Sequence, residues 1–157
     1  METVADGSAG STAAESTKSS CAVAADSPER VPACLLSAPT VEEGAAFTAE
    51  AARLESHPDP TCRVLGAAIS DRLPTVMMFD RAILKKSPLQ RTYGVGFSYE
   101  FGDEWLVRIA RRFNELTERS LSDKLRTLRH EVAHSLGATE EASGRGLTAA
   151  EYADRCG

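Results

Sequence analysis

Large apolar side chains are almost absent before Val31, then recur every three or four positions, then every second position, and finally every three or four again. The first helical stretch starts near Val41, where Phe47 and Leu54 with alanines between them predict a helix ending at His57-Pro58-Asp59-Pro60. Cys62, Leu65, Ile69 and Leu73 predict a second helix over 61–73, stopped by Pro74. The run from Thr75 to Phe79 is β-branched and apolar and reads as a short strand. Next, Tyr93, Val95, Phe97 and Tyr99 alternate with Gly94, Gly96 and Ser98, the period of a half-buried strand. A turn at Phe101-Gly102-Asp103-Glu104 leads to Trp105, Val107 and Ile109, which continue the alternation and complete a hairpin. From Leu121 the period lengthens again. Leu121, Leu125, Leu128, Val132 and Leu136 form one narrow stripe of a helix that Ser120 or Ser122 can cap and Gly137 can end. A short last helix opens at Thr148-Ala149-Ala150-Glu151. Helices around a short antiparallel hairpin make an α+β domain, and no longer repeat argues for a solenoid or propeller.

Composition divides the chain at about residue 40. Residues 1–40 are rich in Ala, Ser, Gly and Thr, interrupted by Pro28, Pro32 and Pro39. Too little apolar surface is available there to offset the entropy of ordering, so a disordered leader is expected ahead of one domain at 41–157. The net charge of -5 supplies no basic stripe for phosphates, which argues against nucleic acid as a partner. No run approaches the roughly 20 apolar residues of a membrane-spanning helix, so no membrane partner is expected. Met1 to Gly10 is acidic and shows neither a basic flank nor an apolar centre, so no secretory signal is read and the cytoplasm is the default compartment. Cys21, Cys34, Cys62 and Cys156 never form the close pairs of structural zinc sites. In a reducing compartment they stay thiols; were the protein exported, Cys62 and Cys156, which flank the folded region, could pair.

The chemistry concentrates on the helix that follows Ser120, which carries His130-Glu131-Val132-Ala133-His134. His130 and His134 are about one turn apart on the side away from the leucine stripe, so their imidazoles can converge on one point. Glu131 lies between the two faces, beside the pair. Two neutral imidazoles on a rigid scaffold with an adjacent carboxylate suit a catalytic zinc, which lowers the pKa of water towards about 7 while the carboxylate takes the proton. The bland alternative is that His130, Glu131 and His134 fall by accident on a solvated helix face, where ion pairs with Lys124, Arg126 or Arg129 explain them. His57, beside Pro58, reads as a loop residue, and Tyr93, Tyr99 and Trp105 as core or cross-strand partners. Tyr152 suits packing better than an oxyanion contact.

The segment from Thr92 onward resembles the zincin metallopeptidases, whose signature is His-Glu-x-x-His on a helix preceded by an edge strand that holds the substrate extended. The resemblance implies Zn2+ as cofactor, Glu131 as general base, and a peptide or protein substrate held by β-strand addition to the 92–110 hairpin. It leaves the third ligand open. Gly137 and then Glu140, six residues after His134, match the spacing of the metzincin extension, although that family uses His or Asp there and adds a Met-bearing turn. Gluzincins take a glutamate from a later helix, which here is Glu151, although Thr148 and Glu151 also form a capping box. Glu140 ranks first, Glu151 second and Glu141 third. A non-catalytic zinc-binding or regulatory module is the alternative function; the short sequence after the motif favours it and the intact Glu131 disfavours it.

Overall fold

The computed structural model describes residues 35–81, 95–140 and 146–157. Helix α1 (Val41–Glu55) begins with a capping box in which Thr40 Oγ1 accepts from the Glu43 amide and the Glu43 carboxylate accepts from the Thr40 amide. Asp59 caps helix α2 (Pro60–Arg72) by accepting the Thr61 amide, with Pro60 in the first turn, where its missing N–H costs nothing. The two helices touch at Gly66, where a Cβ would lie 2.7 Å from the backbone nitrogen of Glu55. Both helices fall where the spacing of Phe47, Leu54, Leu65 and Ile69 places them, and all four side chains are buried. His57 is a loop residue whose Nδ1 accepts the Asp59 amide.

Among the described residues four strands form one mixed sheet: β1 (Leu36–Ser37), β2 (Val76–Arg81), β3 (Gly96–Phe101) and β4 (Glu104–Arg112), in spatial order β1-β2-β4-β3. β3 and β4 are the expected hairpin, joined by a tight turn at Gly102, whose φ of 65° favours glycine. β4 also pairs in parallel with β2, placing Val76 beside Val107 and Met78 beside Ile109. These four residues face the helices and join Phe47, Leu54, Leu65, Ile69, Leu128 and Val132 in the core.

The face of β3 that meets the core differs from the one the alternation suggests. Gly96 and Ser98 lie against helix α3 (Leu121–His134), whereas Phe97 and Tyr99 stack on the opposite face, where Phe97 also meets Phe79. The helix comes too close for an aromatic side chain, so the small residues mark the packed face.

The domain boundary moves as well. Leu36 and Ser37, on the leader side of residue 40, pair with Phe79 and Met78, and Arg111 bonds Ser37 Oγ and the Ala38 carbonyl. The fold therefore takes in residues 36–38, ahead of the expected boundary; residues 1–34, with Cys21 and Cys34, lie outside the described residues.

A short C-terminal helix, α4 (Ala149–Arg155), starts with the capping box expected of Thr148 and Glu151. Cys62 on α2 and Cys156, just after α4, form a disulfide with a Cα separation of 5.5 Å. Cys62 and Cys156 are therefore paired and not the two thiols expected of a reducing compartment. Arg129 on α3 adds a second tie, bonding Glu50 on α1 at 2.6 Å and the Ala153 carbonyl on α4 at 2.9 Å. Among the described residues no helix is long and apolar enough to cross a membrane.

Candidate metal centre

Helix α3 presents the site. Ser120, one of the two candidate caps, accepts the Asp123 amide and Asp123 returns the bond, closing a capping box. Leu128 and Val132 of the leucine stripe are fully buried, but burial is not confined to that stripe. Thr127 and Glu131 are 5% and 6% exposed, because β3 and β4 close over a second side of the helix. The helix is wedged between the sheet and the other helices, so its buried surface is wider than the leucine spacing alone predicts.

The last turn tightens. The amides of Ser135, Leu136 and Gly137 bond carbonyls three residues back, and Gly137 then takes a φ of 93°. This left-handed residue reverses the chain and carries Glu140 back over the helix end. Glu140 Oε1 lies 3.1 Å from His130 Nε2 and 2.5 Å from His134 Nε2. The loop has support from the C-terminal side, since Thr139 pairs with Thr148 and its carbonyl accepts the Ala149 amide.

His130, His134 and Glu140 therefore bring one donor atom each to a common point, with all three atoms within 4.8 Å of one another. Zinc bonds of about 2.0–2.1 Å call for donors gathered on this scale. The tautomer sharpens the fit. His134 Nδ1 lies 2.9 Å from the Ala138 carbonyl, which can only accept, so Nδ1 carries the proton and Nε2 of the neutral ring holds a lone pair. That lone pair faces a carboxylate oxygen, and either an added proton or a cation between them reconciles the contact. A ligating histidine held through its other nitrogen by a backbone carbonyl is the usual outer support of a metal site.

Partial burial works against ionisation of Glu140, but hydrogen bonds with His130 and His134, and the positive charge those rings carry when protonated, outweigh it and hold the carboxyl below the usual range. Glu131 behaves oppositely. Burial pushes its carboxyl up, against the opposing influence of His130, Ser98 and His134. Its Oε1 accepts from Ser98 Oγ at 2.8 Å, and its Oε2 is on the histidine side, 4.0 Å from His130 Nε2. The ion pairs that would have explained Glu131 as a surface residue go elsewhere: Lys124 to Glu43, Arg126 to Asp154 and Arg129 to Glu50.

The other candidates fall away from this point. Glu151 is committed to its capping box, 2.8 Å from the Thr148 amide, and stands outside the cluster. Glu141 lies outside the described residues. Tyr152 packs against the core, as its bland reading has it. Two neighbours went unrecognised in the sequence. Ser98 reaches the Glu131 carboxylate, and Trp105 Nε1 donates to the Glu131 carbonyl at 3.2 Å. The signal for Ser98 was its place beside Gly96 among aromatic residues, on the face where only small side chains fit.

The chain matches no protein-family model, no curated protein and no solved structure.

Proposed function

We propose that this protein is a zinc-dependent hydrolase that cleaves peptide bonds, with His130, His134 and Glu140 holding the metal and Glu131 acting as general base. The observation that carries this reading is the convergence of two imidazole Nε2 atoms and one carboxylate oxygen beside a buried second carboxylate. Zinc, when bound, supplies a Lewis acid that polarises the scissile carbonyl and acidifies water. Glu131 accepts the proton of the attacking water and returns it to the leaving amine. Its burial suits the task, because a carboxylate denied full hydration is a stronger base than an exposed one. Among the described residues β3 pairs with β4 alone, so its outer edge offers backbone groups to an extended peptide.

The test has two parts. Purified full-length protein should bind about one equivalent of zinc, and His130→Ala or His134→Ala should abolish it. The zinc form, incubated with a denatured protein mixture, should generate new N-termini detectable by mass spectrometry. Glu131→Gln should retain the metal and lose cleavage by about 10² to 10⁴-fold. Zinc retained by the double histidine variant sinks the site. Zinc binding without any cleavage that depends on Glu131 favours the second reading, a non-catalytic module that holds the metal for structure.

A further inference from the structure

Glu131 occupies a well-defined place although α3 is ending around it, and the hairpin supplies the reason. The last turn tightens here, with the Ser135 amide bonding the Val132 carbonyl at 2.9 Å. The Glu131 carbonyl accepts from Trp105 Nε1 at 3.2 Å and lies 3.1 Å from Ser98 Oγ. With the indole serving that carbonyl, the single Ser98 hydroxyl proton goes to the shorter contact, Glu131 Oε1 at 2.8 Å. An ionised carboxylate only accepts, so the serine is the donor. Committing Oε1 in this way leaves Oε2 as the oxygen that faces the histidines.

We propose that Ser98 is the positioning residue of Glu131: from β3 it holds one carboxylate oxygen and thereby aims the other at the metal centre. The approach is built into the strand. Gly96, two residues earlier on the same face, lies so near α3 that a Cβ there would overlap the Thr127 methyl and come within 3.3 Å of Glu131 Cγ. This deepens the zinc-hydrolase reading and rests on it for its consequence, although the aim of Glu131 is a property of the protein without metal.

The first experiment therefore needs no zinc. In a crystal structure of metal-free full-length Ser98→Ala, the Glu131 carboxyl should leave its place beside the histidines; an unmoved carboxyl overturns the proposal. The second uses acetohydroxamic acid, a small zinc-binding acid whose bound form hydrogen-bonds a neighbouring carboxylate. On the zinc-loaded protein, Ser98→Ala should weaken hydroxamate binding roughly 10-fold, while zinc affinity stays within about 2-fold. Ser98→Thr should restore binding to within about 2-fold of the parent. In the Glu131→Gln background the Ser98→Ala change should have no further effect, because the serine acts through the glutamate. Equal losses in both backgrounds would show that Ser98 acts independently and would overturn the assignment. Failure of the parent protein to bind zinc would refute the hydrolase reading alone if the metal-free structure still shows Glu131 displaced.

Discussion

Glu140 and Glu151 are both glutamates near a helix end, and the structure separates them by what their carboxylates accept. Glu140 faces two imidazole nitrogens, whereas Glu151 accepts the amide that opens α4. Glu140→Ala should therefore weaken zinc binding substantially in a competition titration, while Glu151→Ala should leave it intact and cost about 1 kcal/mol in a denaturant melt. The reverse pattern would make Glu151 the ligand. The histidine pair and Glu131 were legible in the sequence because one turn of helix fixes their relation. The choice of Glu140 was only a ranking, since it depends on the chain reversal at Gly137. Acid stability should depend on a different carboxylate, Glu43. Burial raises the Glu43 carboxyl, but hydrogen bonds from Arg111, the Thr40 amide and Lys124 prevail and bring it from 4.5 down to about 2. Its folded value lies below its unfolded one, so its contribution is complete above about pH 4.5 and is lost as pH falls towards 2. Glu43→Gln should lose about 1–3 kcal/mol at neutral pH, and the deficit should shrink as unfolding is measured at successively lower pH through that window.

At the scale of elements, the contact between β3 and α3 sets the site. Gly96→Ala should cost about 1–3 kcal/mol, because the added methyl meets the buried, β-branched Thr127, which has little freedom to yield. Stability equal to the parent in a urea titration would show that the strand can retreat from the helix. The helices and the hairpin were readable from spacing, because each depends on contacts local in sequence. Two features were not. The parallel pairing of β2 with β4 joins segments that share no pattern, and the inward face of β3 carries Gly96 and Ser98 where hydrophobicity pointed to Phe97 and Tyr99. Periodicity reports which residues alternate. It cannot report which face a neighbouring helix will press.

For the whole molecule, the Cys62–Cys156 bond closes the fold across a separation of 94 residues. Cys156 follows α4, α4 packs on α3, and Thr148 at the start of α4 pairs with Thr139 beside Glu140. Reduction should lower unfolding stability by about 2–4 kcal/mol, read as a shift of the urea midpoint with and without reductant. Cys62 and Cys156 should resist alkylation until the protein is reduced. Ready labelling of the untreated protein would restore the all-thiol state. The sequence offered these two cysteines as partners only on condition of export, because nothing in their spacing brings α2 and the end of α4 together.

Trp105 is the single tryptophan of the chain, and its indole nitrogen is bonded to the backbone of Glu131. The protein thus carries an intrinsic optical reporter hydrogen-bonded to the residue next to His130. Its emission, which responds to the polarity and hydrogen bonding of the indole, follows events at the end of α3 without any added label. Metal uptake at the centre, displacement of Glu131 or opening of the hairpin from the helix should each alter the surroundings of this one chromophore, so a fluorescence titration offers a label-free readout in solution.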